Sequence, residues 1–162
     1  MYKTFVNLMQ NKIKTQTRLT FIQFVFASFF FDKPVEDELL NFQNHFYKLT
    51  VSSIEHDEES IINFNKNFFN KLAVSYSQFI KNYDVAKIIN PLINFERKYE
   101  NWDSINKAII LSIFSEIQIT KKEKIKILLN DYLDISKFLI KPKELGIINA
   151  ITDKYLNEKK II

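Results

Sequence analysis

Ile125-Lys126-Ile127-Leu128-Leu129-Asn130-Asp131-Tyr132-Leu133-Asp134-Ile135-Ser136-Lys137-Phe138-Leu139 decides the fold class. Ile125, Leu128, Leu129, Tyr132, Ile135 and Leu139 recur at steps of three or four, the spacing that stacks side chains on one face of an α-helix. Lys126, Asn130, Asp131, Asp134 and Lys137 stand between them, at positions that packing alone would not specify. Just upstream, Thr120 and Glu123 have capping-box spacing, which predicts that this sixth helix begins near Lys121. Lys141 and Pro142 interrupt it. Pro142 and Glu144 suit the first turn of a seventh helix with Leu145, Ile148, Ile151, Thr152 and Tyr155 inward and Asn149 and Asp153 on its polar positions.

Working outward toward the N-terminus, the same period predicts five more helices. Lys14 to Phe31 is dense in apolar residues, so a first helix there is expected to be buried on most sides, and Asp32, Lys33 and Pro34 break it. A second helix is expected over about Val35 to Leu49, followed by a polar, acidic connector from Ser52 to Glu59. Ile61, Phe64, Phe68, Leu72, Tyr76, Phe79 and Tyr83 mark a long third helix, expected to be the central one. Val85, Ile88, Ile89, Leu92 and Ile93 mark a shorter fourth, ending in the charged stretch Glu96 to Glu100. Asp103 or Ser104 can cap a fifth, which carries Ile105, Ala108, Ile109, Ser112, Ile113, Glu116 and Ile117.

Composition agrees with this reading. The 162 residues fit one domain, which at this size removes roughly 70% of the unfolded surface. Apolar residues at 46% and aromatics at 15%, with 16 phenylalanines, exclude intrinsic disorder. One glycine and three prolines leave little chemistry for tight hairpin turns, which argues against all-β and Rossmann-type chains. The expectation is an all-α fold of about seven helices, with an N-terminal lobe over about 12–83 and a C-terminal lobe over about 84–158.

No cysteine is present, so disulfide scaffolds, thiolate metal sites and cysteine nucleophiles are excluded. The most apolar segment, Leu19 to Phe31, is about 13 residues against the ~20 a bilayer requires, and no small-residue cleavage pattern follows it. A cytoplasmic protein with no membrane association is expected. The net charge of +4 and pI near 9.1 suit a nucleic-acid partner weakly, because nearly all the positive charge is lysine and only Arg18 and Arg97 are arginines.

Between Ser104 and Lys154 the chain resembles, without a gap, the C-terminal part of the bacterial antitermination factor NusB family. The family's basic residue, A-I-L and later Y-E-L are matched by Lys107, Ala108, Ile109, Ile110, Ser115, Glu116 and Ile117. Its K-V-A-I-N-E-A-x-E-L-A-K is similar to Lys126 through Lys137. Its F-V-N-G-V-L-D-K is similar to Ile147 through Lys154, and its N-terminal R-x-x-A-V-Q-A-L-Y to Arg18 through Phe26. Residues 32 to 100 match in apolar pattern alone. Where the family has consecutive arginines this chain has Lys14, Thr15, Gln16, Thr17 and Arg18. Leu111 replaces an arginine, and Leu139 and Ile140 replace an F-G pair at a turn that in the family lies close to RNA.

The resemblance implies two packed helical bundles and a function: pairing with NusE, a small-subunit ribosomal protein, and binding of boxA in nascent ribosomal RNA by an RNA-binding transcription antitermination factor in the elongation complex. On that reading the RNA-binding candidates are Lys12, Lys14, Arg18 and Lys137, whose cations would neutralise phosphates. The partner-binding candidates are Glu116, Asp131 and Asp134. Ordinary alternatives exist for each. Lys12, Lys14 and Arg18 can form a solvated helix start, Asn130, Asn149 and Glu116 can be structural hydrogen-bonding side chains, and Asp131 and Asp134 can be surface or capping carboxylates.

Catalysis is not expected. His45 and His56 are far apart, and there is no metal-ligand spacing, nucleophile motif or glycine-rich phosphate loop, so no catalytic residue, metal or cofactor is assigned. Two further readings stand beside the first: a diverged NusB-fold protein-interaction module without RNA binding, and a helical domain like the one preceding some ribosomal RNA methyltransferases, acting with a separate catalytic partner.

Overall fold

Among the described residues seven α-helices form the fold: α1 (Tyr2–Ser28), α2 (Val35–Lys48), α3 (Lys66–Asn82), α4 (Val85–Ile89), α5 (Ser104–Ile117), α6 (Ile125–Ser136) and α7 (Pro142–Glu158). The computed structural model describes residues 2–48, 50–52, 59–61, 64–94 and 97–160. The class is all-α, as expected. Among the described residues a short antiparallel ribbon also lies between α2 and α3, β1 (Thr50–Ser52) and β2 (Glu59–Ile61), with Thr50 opposite Ile61 and Ser52 opposite Glu59. Its strands are joined by residues 53–58, so no two-residue glycine turn is needed. Those residues, with His56 and most of the expected acidic connector, lie outside the described residues, as does Glu96.

α5 is the hub. Asn106 and every residue from Ala108 to Ile117 are buried, and α1, α3, α6 and α7 all pack on this helix. The expectation that α3 would be central is therefore corrected: α3 keeps an exposed face with Lys71, Val74 and Gln78, while α5 has none over most of its length. Serines allow the crowding around α5. Ser112 and Ser115 return their hydroxyls to the carbonyls of Ala108 and Leu111 at 2.7 and 2.6 Å, and the Ser75 hydroxyl reaches across from α3 to the Ser115 carbonyl at 2.6 Å. Small side chains bring the helices close, and each of these three serine hydroxyls is satisfied.

Most of the described phenylalanines are core. Phe42 and Phe69 stack with centroids 5.8 Å apart, and Phe24 meets both rings edge-on, joining α1, α2 and α3. At the other end Phe114 of α5 stacks on Tyr155 of α7 at 4.2 Å. The core is one continuous cluster running from Phe21 to Leu156. The exceptions are Phe26, Phe29, Phe30 and Phe138, which face solvent.

Helix boundaries follow local chemistry. α1 starts well before Lys14 and ends at Ser28, and the N–H groups of Phe29, Phe30 and Phe31 then turn back onto the carbonyls three residues earlier. α3 starts at Lys66 and not Ile61, because Asn65 is extended and its side chain accepts the Phe68 N–H at 3.0 Å. The Asn65 N–H in turn donates to the Thr17 hydroxyl at 2.8 Å. The Thr120–Glu123 capping box does not form. Thr120 instead donates to the Glu116 carbonyl at 2.6 Å, closing α5, and a 3₁₀ turn at Lys122–Lys124 precedes α6. Asp103 occupies the N-cap of α5 without a side-chain cap bond. The start of α7 is as read: Pro142 opens it, and the Glu144 carboxylate accepts the Lys141 N–H at 3.1 Å.

Candidate functional site

Arg18 stands on the face of α1 that meets α5 and α6, and this determines what it can do. Its Nε and Nη2 donate to the Glu116 carboxylate at 3.0 and 2.7 Å, and its Nη1 donates to Asp131 Oδ2 at 2.6 Å. Thr15, one turn earlier, donates to the other Asp131 oxygen at 2.8 Å. The guanidinium also lies 5.5 Å from the ring centroid of Phe68 and 5.7 Å from that of Tyr132. Arg18 is 8% exposed and Glu116 3%.

Burial disfavours a charged guanidinium, but here the hydrogen bonds and charge of Glu116, with Asp131, outweigh it, and the Arg18 pKa moves up. Arg18 is a permanent cation with its donors committed. Tyr132 is fully buried beside this group. Its hydroxyl lies against Glu116 without reaching hydrogen-bond geometry, and burial together with the Glu116 charge pushes its ionisation well above the ordinary phenol range. It is a neutral wall of the cluster.

The cluster thus gathers one expected RNA-binding residue, Arg18, and two expected partner-binding residues, Glu116 and Asp131. Arg18 is not part of a solvated helix start, and Asp131 is not a capping carboxylate. Glu116 takes the structural role that was its alternative. The other candidates lie elsewhere. Lys12 and Lys14 are exposed on α1. Asp134 and Lys137 pair with each other at 2.9 Å in solvent at the end of α6, a contact of the weak surface kind.

Asn130 and Asn149 correct the reading of structural amides. Both are exposed, on opposite walls of a groove of about 510 Å³ between α6 and α7, together with Asp134, Lys137, Leu145 and Gly146. A second, smaller cavity lies at the start of α5 against α7, between Trp102, Asp103, Asn106 and Glu144. Sequence reasoning passed over Thr15, Tyr132, Trp102 and Asn106. For the cluster a signal was available: Glu116 is the one charged residue in the run from Ala108 to Ile117, and a charge there requires a buried partner.

Among the described residues no group of three or more histidine, cysteine, aspartate or glutamate side chains could hold a metal ion, and no helix is long and apolar enough to cross a membrane. Comparisons with protein-family models, with curated proteins and with solved structures found no match to this chain.

Proposed function

We propose that this chain is an RNA-binding transcription antitermination factor of the NusB type, which pairs with NusE and binds boxA of nascent ribosomal RNA in the cytoplasm as part of the elongation complex. One observation carries the reading. The segments that resemble the family are far apart in sequence, and a charged residue from each of three of them meets in one buried cluster: Arg18 from the first, Glu116 from the second and Asp131 from the third. A chance likeness of separate helices would not require their matched polar positions to be partners. The packing of α1, α3, α6 and α7 around α5 is compatible with the reading.

In this reading Lys12 and Lys14 on α1, and Lys137 beside the α6–α7 turn, supply the phosphate contacts. Arg18 positions α1 and does not touch RNA. The test is fluorescence anisotropy of a labelled boxA single strand, with and without NusE, across a salt series. Expected is salt-sensitive binding that tightens with NusE and weakens in a Lys12→Ala, Lys14→Ala double variant. Absence of RNA binding with NusE present would overturn it.

The commitment of the Arg18 guanidinium to two carboxylates favours a second reading, because it leaves lysines alone to bind phosphate on that face of α1. A protein-interaction module of the same fold would bind NusE with little salt dependence and ignore RNA.

A further inference from the structure

The cavity at the start of α5 holds a feature that the fold does not use. Asn106 lines it, is 9% exposed, and its side-chain oxygen is sealed from solvent and accepts no hydrogen bond. Native interiors rarely leave such an acceptor empty. Around it are Asp103, whose carboxylate makes no cap bond, Glu144, one of whose oxygens takes the Lys141 N–H, the indole of Trp102, and Ile147. The volume is about 70 Å³, room for a few waters or one small planar group.

We propose that this cavity binds a guanidinium group. The side-chain oxygens of Asn106, Asp103 and Glu144 are three acceptors around one small cavity, which suit a planar fork of N–H groups better than a single point charge. Charge agrees. The starts of α5 and α7 each contribute about half a positive charge, which the full negative charges of Asp103 and Glu144 exceed, and Arg97, which also lines the cavity, is exposed, so water screens it. The indole supplies a cation-binding face, and its N–H is anchored on the Arg97 carbonyl at 3.3 Å, so the ring does not have to be ordered on binding.

The group has two possible sources, a free guanidine compound or an arginine presented by another protein. The site is separate from the Arg18 cluster and does not depend on the RNA reading.

Trp102 is the only tryptophan in the chain, so its emission reports this cavity directly. The experiment titrates the full-length protein with methylguanidinium chloride at sub-denaturing concentration, with sodium chloride at equal ionic strength as the blank. A parallel arm uses a short arginine-containing peptide and the same peptide with citrulline. Expected is a saturable change in emission with millimolar or tighter affinity, weakened at least tenfold in Asn106→Leu and in Asp103→Asn. Stronger binding of the peptide than of methylguanidinium identifies a protein arginine, and the reverse identifies a free compound. A response identical to sodium chloride would overturn the proposal, as would one unchanged in the variants. Should Asn106→Leu fail to fold, the exposed Asp103→Asn decides. Asn106→Leu with a raised melting temperature and no saturable response in the parent would show the empty oxygen to be a packing defect.

Discussion

Arg18 illustrates how a cation changes meaning once its surroundings are known. Taking a guanidinium out of water is expensive, and only the two carboxylates, each within hydrogen-bond distance, offset that expense. Removing one partner leaves the others charged and buried, so Arg18→Ala or Glu116→Ala is expected to lower stability by about 3–5 kcal/mol in urea unfolding. Replacing the group together, as Arg18→Met, Glu116→Leu and Asp131→Asn, should recover most of that loss, because no uncompensated charge remains. Tyr132→Phe tests the neighbouring hydroxyl. With no hydrogen bond formed to the adjacent Glu116, its removal should be neutral or stabilising by up to about 1 kcal/mol, whereas a loss of that size would reveal such a bond. The members of this cluster were legible as polar residues in a helical pattern, but their meeting was not, since Arg18 and Glu116 are 98 residues apart and periodicity reports which face a residue is on without reporting what that face touches.

At the scale of elements, the early turns of α7 and the seam between α2 and α3 make opposite demands. Gly146 lies in the interior of α7, exposed, and a Cβ built there would meet nothing within 4 Å. Glycine in a helix costs roughly 0.5–1 kcal/mol relative to alanine, so Gly146→Ala should raise the unfolding free energy by about that amount. Glu36, in the first turn of α2, receives hydrogen bonds from Lys81 and Ser77 of α3, the Lys81 contact dominating, and its pKa falls from 4.5 to about 2. A depressed carboxylate stabilises above its unfolded pKa and loses that contribution as pH falls through the folded one. Wild type should therefore exceed Glu36→Gln in melting temperature at neutral pH and converge with it between about 4.5 and about 2. The pair is solvent-exposed, so the gap should stay within about 1 kcal/mol. The same seam shows why boundaries escaped the sequence. The apolar period runs on through Ile61 and Phe64, yet Asn65 stops the helix by capping it, and Thr120, which has the spacing of a cap, bonds backward to Glu116 instead. Side-chain hydrogen bonds with two available directions decide helix ends, and periodicity does not distinguish them.

Over the whole molecule the argument concerns where the positive charge is left once the interior has taken its share. The chain carries a net +4, with Arg18 neutralised inside by Glu116 and Asp131, and Lys137 paired with Asp134. Among the described side chains of α1, Lys12 and Lys14 are the cations offered to a polyanion, both exposed on the helix that the Arg18 cluster locks against α5 and α6. A rigid helix presenting two lysines can make about two phosphate contacts, each worth roughly 0.7 in the slope of log affinity against log salt for a single strand. The Lys12→Ala, Lys14→Ala variant should therefore keep the parental melting temperature and reduce that slope by about 1.4. Arg18→Lys should behave the other way. A lysine cannot bridge two carboxylates as the fork does, so stability falls while the slope is held by the unchanged surface. If the double lysine variant left the slope unchanged, the RNA would have to be bound elsewhere, and the lysines at the 3₁₀ turn Lys122–Lys124 would be the next to change.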